Sequence, residues 1–240
     1  EIGSPASSAL LVAEAGRHEI GLVFEPALPD GAWVGARRGS GNFTLVMRGR
    51  SAHAGRDFDR GRNALLALIR ALDKIARLTD TARGVTVNVA RVGGGGPSNV
   101  IPDLAVGRFN VRLTEPSDVP PIRASLDRLA METASELGCT AELSGDFAAP
   151  PKPMTEPLLK MHERVAQAAK RSGVSYRHRA TGGVCDGNRI AAAGCPCVDT
   201  MGPVGGGMHS SSEWVELPSL EARARITLGV LVDFASEAES

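Results

Sequence analysis

The sequence is short of several things, and each shortage removes a class of function. Neither charge sign dominates: 27 Lys and Arg stand against 27 Asp and Glu, so no global field argues for nucleic acid or a membrane surface as partner. No apolar run approaches the roughly 18 residues that a spanning helix needs. Four cysteines in 240 residues do not make a disulfide framework. Cys195 and Cys197 flank Pro196, too close to pair without severe strain, and no second thiol pair completes a structural zinc set. With Cys139 and Cys185 they read as buried small hydrophobes. The run Gly93 to Gly96 has no helix after it, which disposes of a phosphate-binding loop. Aromatics are sparse at 4%, while 42% apolar residues are ordinary for a globular chain long enough for one large domain or two modest ones. The chain opens abruptly on Glu1, with no charged-then-apolar leader after it.

What is present centres on Gly202-Pro203-Val204-Gly205-Gly206-Gly207-Met208-His209-Ser210. Glycines let a backbone turn tightly and approach a ligand, and a histidine there offers a neutral ring nitrogen suited to zinc. Taken alone, the stretch is a surface loop with a solvated histidine. Two distant segments fit the same picture.

In chain order, a helix is expected over 7–15, then a short buried strand Ile20-Gly21-Leu22-Val23-Phe24 with Glu25 at its C-terminal end, where active-site groups of open α/β sheets gather. A further strand at 33–38 is followed by a Gly-Ser-Gly hinge. From Phe43 to about Asp146 the periodicities read strand, helix, strand, strand, helix, strand, the ferredoxin-like order. Within it, Leu65, Leu68, Ile69, Leu72 and Ile75 share a helical stripe, and Arg108, Asn110 and Arg112 share the polar face of a strand. A stiff, proline-rich linker at 148–153 leads back into alternating helix and strand. The expected architecture is therefore an α/β layer domain (1–42 and 151–240) interrupted by a ferredoxin-like α+β unit (43–150).

The segments Glu1-Ile2-Gly3-Ser4, Phe24-Glu25-Pro26, Ser51-Ala52-His53-Ala54-Gly55, Asn99-Val100-Ile101-Pro102, Thr181-Gly182-Gly183 with Asp186, and Gly205 to Ser210 occur in one order along the chain. In this the sequence resembles the co-catalytic zinc carboxypeptidases and aminoacylases, the family of glutamate carboxypeptidase, acetylornithine deacetylase and succinyl-diaminopimelate desuccinylase. The glutamate carboxypeptidase branch fits best on Phe24-Glu25-Pro26 and the Gly-Pro-Val-Gly-Gly-Gly run. Each motif is short, and six in order carry the weight.

The resemblance implies two zinc ions bridged by an aspartate, one held by Glu1 and His209 and the other by Glu25. It implies that His53, on a dimerisation lid, reaches across a homodimer as an oxyanion-stabilising donor, and that Asn99, Arg112 and Gly183 hold the substrate, Arg112 by a carboxylate. A guanidinium fork on a polar strand face suits that task. The competing readings are that His53 lines a turn and that Arg112 is one of several solvated charges; Arg108 reads as surface, Asp186 as ordering its loop, and His18, His162 and His178 as ordinary. One departure is large. The family's His-x-Asp segment, bridging aspartate and general-base glutamate have no counterpart here, so the expectation is the C-terminal portion of a longer enzyme, inefficient as it stands. The implied activity is hydrolysis of amide bonds in N-acyl or peptidyl amino acids with a free carboxylate. The alternatives are a dimerisation and binding module without turnover, or a deacetylase or desuccinylase of the same family. Compartment stays open.

Overall fold

The computed structural model describes Ser4 and residues 6–238. In chain order its elements are α1 (Ser8–Ala15), β1 (Gly21–Leu22), β2 (Trp33–Arg37), β3 (Gly39–Arg48), β4 (Ala52–His53), α2 (Ala64–Ala76), β5 (Thr86–Gly94), β6 (Val100–Ile101), β7 (Leu104–Leu113), α3 (Val119–Glu136), β8 (Thr140–Ala149), α4 (Glu156–Arg171), β9 (His178–Thr181), α5 (Asp186–Ala192), β10 (Cys197–Val198), β11 (Gly205–Gly206), β12 (Trp214–Val215) and α6 (Leu217–Ala238). They form two compact units, Gly39–Ala148 and the two flanking stretches Glu1–Arg38 and Ala149–Ser240 together.

In the Gly39–Ala148 unit, β7 lies between β3 and β5, antiparallel to both, and the sheet order is β5-β7-β3-β8. Strand alternation sorts the side chains of β7: Ala105, Gly107, Phe109, Val111 and Leu113 are buried, and Arg108, Asn110 and Arg112 stand on the other face. The buried set joins Phe43, Leu45 and Met47 of β3, Leu68, Leu72 and Ile75 of α2, and Leu126 and Ala130 of α3, so both helices cover one face. This is the ferredoxin-like arrangement. Each of those buried Leu, Ile and Phe side chains contributes about 1.5–3 kcal/mol by leaving water. Helix α2 starts where the Asn63 side chain accepts the Leu66 N–H at 2.9 Å. It lies so close to the sheet that a Cβ on Gly107 would stand 2.9 Å from Leu72 Cδ1 and 3.1 Å from Leu68 Cδ1. Strands β5 and β8 run past the spans their alternation suggests, and the first two residues of the glycine run belong to β5. The pattern fades because β5 is an edge strand: Val85 is buried, Val87 half-buried and Val89 exposed.

In the other unit short strands form an α/β layer. β1 pairs parallel with β10 and β2 parallel with β9, and single bridges join Val34 to Asp199 and Ala27 to Val204. Val198 packs with Leu158, Met161 and Val165 of α4 and Ile226 and Val230 of α6. A Cβ on Gly21, opposite the neighbouring Cys197, would meet Ile190 of α5 at 3.0 Å. Adjacent strand residues thus face different helices, as in a covered parallel sheet. The proline-rich stretch is not a free spacer: Arg37 and Lys152 exchange backbone hydrogen bonds at 2.8 and 2.9 Å, and Lys152 is fully buried. Its ammonium finds a buried carboxylate, described below.

Candidate active site

Glu25 lies three residues beyond β1, half-buried, in an extended segment held beside 201–204. Met201 N–H donates to Val23 O, Gly202 N–H to Glu25 O and Ala27 N–H to Pro203 O, all at 2.9–3.0 Å. The same strip then enters β11, which pairs with β12, and the loop between them carries His209, exposed. Gly207 turns at φ 67°, and His209 itself takes φ 66°, a left-handed conformation that costs a residue with a Cβ. The Ser210 hydroxyl donates to Gly207 O at 2.6 Å and lies 2.9 Å from Ser212 Oγ, which fastens the loop. An unfavourable conformation held in place at an exposed imidazole is the kind of local strain found at functional loops.

The loop Thr181–Cys185 is held from beneath. Arg37 donates to Gly183 O at 3.2 Å, and Asn188 accepts Cys185 N–H while donating to Arg38 O and Pro150 O. Asp186 accepts from the Ser4 hydroxyl at 2.6 Å and from Arg189 at 2.8 Å, so it orders the entry to α5. Arg37 in turn forks onto Asp199, Nε to Oδ2 at 2.8 Å and NH2 to Oδ1 at 2.7 Å, and Lys152 Nζ reaches Oδ2 at 2.6 Å. Lys152 and Asp199 are wholly buried and Arg37 nearly so. Burial works against the Arg37 charge, yet the hydrogen bonds and charge of Asp199 prevail and raise its pKa. Burial, with the Asp199 charge beside it, pushes the Cys185 thiol up to about 11. The sequence reading missed this triad. Its only sign was a charged residue inside the apolar segment Cys197-Val198-Asp199.

In the Gly39–Ala148 unit, β4 pairs with β6 so that His53 stands opposite Val100, and Ala54 N–H donates to Asn99 O at 2.8 Å. His53 and Asn99 are therefore neighbours, both exposed. Gly55 N–H donates to His53 Nδ1 at 3.1 Å. An Nδ1 that accepts leaves the proton of the neutral ring on Nε2, the outward donor. Arg112 lies on β7 in the four-stranded sheet, which β4 and β6 do not join, opposite Ser40 on β3 and Thr86 on β5, with its Nε donating to Asn110 Oδ1 at 3.1 Å. From Leu104, beside β6, to Arg112 is eight residues of strand, about 27 Å. Of the sequence-derived site residues, this unit thus brings His53 and Asn99 together and sets Arg112 apart. Glu25, Gly183 and His209 belong to the other unit, and Glu1 lies outside the described residues.

Comparison with known proteins bears on what these loops are. Residues 35–137 match the peptidase dimerisation domain of the M20 group. The chain is 30% identical over 239 residues to a succinyl-diaminopimelate desuccinylase of Cereibacter sphaeroides (strain KD131), covering 93% of this chain and 60% of that protein. By these matches the chain resembles the M20 peptidases and matches their dimerisation domain. Among solved structures, aminopeptidase PepT from Bacillus cereus ATCC 10987 superposes with a TM-score of 0.80 at 21% identity, over 95% of this chain and 61% of that one. The Bacillus subtilis YXEP protein, a dinuclear metal-binding peptidase from the M20 family, does so with 0.66 at 20% identity, over 89% and 56%. These structural likenesses concern the fold. The chain spans about 60% of the length of the curated relative.

The residues that fit a metal are a partial set. The carboxylate of Glu25 and the imidazole of His209 are donors suited to a borderline cation. Among the described residues no three His, Cys, Asp or Glu side chains gather to hold an ion. These two side chains do not close a site by themselves.

Proposed function

We propose that this chain provides the dimerisation lid and part of the catalytic layer of a metal-dependent hydrolase, cutting amide bonds of N-acyl or peptidyl amino acids that carry a free carboxylate. The observation that carries the reading is that His53 and Asn99 lie on the β4–β6 ribbon, next in sequence to the Leu104 end of β7, while Arg112 lies eight residues further along that strand, about 27 Å from Leu104. One small substrate does not span that length of β7. Two copies of the chain resolve this: the His53 end of one serves the Arg112 end of the other, in keeping with a peptidase dimerisation domain.

In this reading Arg112 clamps the substrate carboxylate through its guanidinium fork. His53 donates its Nε2 proton to the oxygen on which charge develops, with Gly55 N–H holding the ring in the donor tautomer. Gly183, fixed through Arg37, shapes the substrate loop. Glu25, His209 and Glu1 are this chain's contribution to a two-metal centre, proposed to hold zinc, which when bound supplies an activated water and a clamp for the reacting oxygens. On the acyl group, a peptidyl or acyl glutamate, suggested by Phe24-Glu25-Pro26, and a succinyl amide, suggested by the relatives' names, stand on an equal footing.

The test is hydrolysis of a panel of N-succinyl, N-acetyl and peptidyl amino acids by the protein at its native length, with and without chelator. Chelator-sensitive turnover is expected; chelator-insensitive turnover, or none across the panel with metal bound, overturns the reading. A second reading, a dimerisation and binding module without turnover, draws on the lack of any His-x-Asp triplet in the sequence. It predicts zinc-independent dimers in sedimentation and no hydrolysis.

A further inference from the structure

The face of the Gly39–Ala148 sheet that no helix covers holds a cavity of about 550 Å³, lined by Arg91, Arg108, the glycines 93–96 and Asp103 among others. Arg91 on β5 pairs directly opposite Arg108 on β7. A β-bulge makes this so: Val89 faces Phe109, and regular pairing would then bring Ala90 opposite Arg108, but the register shifts by one residue and Arg91 takes the place. Like charges directly opposite on neighbouring strands repel. Neither guanidinium has a hydrogen-bond or ion-pair partner among the described residues, and Asp103, the acid lining the same cavity, pairs with neither. The backbone N–H groups of Gly95 and Gly96, at the cavity's rim, also donate to nothing among the described residues. Gly95 has φ 91°, and both Gly95 and Gly96 are exposed. Successive free amides at a turn make an anion-binding concavity without any helix behind them.

We propose that Arg91, Arg108 and the Gly95–Gly96 amides form a binding site for a small oxyanion, a carboxylate- or phosphate-bearing solute. The site is separate from Arg112, which lies four residues further along β7, about 13 Å away. It does not depend on the hydrolase reading. The ligand supplies the negative charge that the paired arginines lack, and the guanidinium forks give it bidentate contacts.

Two measurements on the intact protein test this. In calorimetric titration at constant ionic strength, with chloride as the balancing anion, succinate or inorganic phosphate should bind saturably with one site in the Gly39–Ala148 unit. The affinity should fall at least about tenfold in Arg91→Gln and in Arg108→Gln and be retained in Arg112→Gln. Whichever probe binds tighter separates a carboxylate-bearing from a phosphate-bearing ligand. In thermal unfolding followed by circular dichroism, Arg108→Gln without anion should melt no lower than wild type, because it removes the facing charge, and should lose the anion-induced rise in Tm. No saturable binding beyond chloride, binding that survives both arginine variants, or loss only in Arg112→Gln would overturn the proposal.

Discussion

Replacing Asp199 by Asn keeps the shape of a buried side chain and removes its charge, leaving Arg37 and Lys152 facing each other away from water. The carboxylate receives three charge-assisted hydrogen bonds of 2.6–2.8 Å, and both it and Lys152 are fully buried. Breaking a buried ion pair by removing one partner costs about 3–5 kcal/mol, since the remaining charge has no compensation. Lys152→Met is the informative contrast. Arg37 alone already forks onto both oxygens of Asp199, so losing Lys152 leaves a neutral, bidentate pair and takes the excess positive charge out of the interior; the expected cost is under about 1 kcal/mol. Urea unfolding followed by tryptophan fluorescence reads this unit selectively. Trp33 and Trp214 both belong to it, and Trp33 is buried with the Arg223 guanidinium 3.4 Å from its ring centroid. With a denaturant slope near 2 kcal/mol/M, Asp199→Asn should lower the midpoint by about 2 M and Lys152→Met by less than about 0.5 M. An unchanged midpoint for Asp199→Asn, or equal losses in the two variants, would refute the reasoning.

His162 is buried against the Tyr176 hydroxyl with its ring 4.8 Å from that of His178, and its Nε2 has no partner among the described residues. Burial, then the charges of His178 and Lys152, lower its pKa to about 3. The folded ring stays neutral where the unfolded one takes a proton. Its contribution is therefore complete above pH 6.5 and is lost, by up to about 1.4 kcal/mol per pH unit, as the pH falls from 6.5 toward 3; His162→Leu should flatten that part of the urea midpoint against pH. Burial pushes Cys185 up to about 11 and Cys197 up to about 12, and raises Cys139 and Cys195. Iodoacetamide at pH 8 should therefore label the folded protein far more slowly than the urea-unfolded one, as mass spectrometry would record. The Gly55 contact predicts an Nε2–H tautomer for His53, readable from its ring ¹⁵N shifts, and His53→Ala should lower kcat by about 10²–10³ with a smaller effect on KM.

What could be read from the sequence was set by local repetition. The alternation in β7 and the stripe of α2 declare which face is buried, although Ile69 of that stripe stands exposed, and the order of six elements declares the inserted sheet. The triad was illegible because its members are brought together by tertiary pairing: Lys152 hides in a proline-rich stretch, Asp199 in an apolar one, and 162 residues separate Asp199 from Arg37. The facing arginines were illegible for a different reason. A single extra residue at the β5 bulge shifts the side-chain period, so Arg108 read as a surface charge with no arginine opposite it on β5. Short motifs named His53 and Asn99, and the family resemblance with the polar face of a strand named Arg112, but only strand register shows that the first two are neighbours.

The most direct test of the two-copy site is complementation. His53→Ala and Arg112→Ala variants of the metal-replete protein, each inactive alone, are mixed, allowed to exchange subunits and assayed on a hydrolysed substrate. If His53 of one copy serves the Arg112 end of the other, half the dimers are mixed and each has one intact site, so about a quarter of wild-type activity returns. If both residues act within one chain, mixing restores nothing, and the account is contradicted.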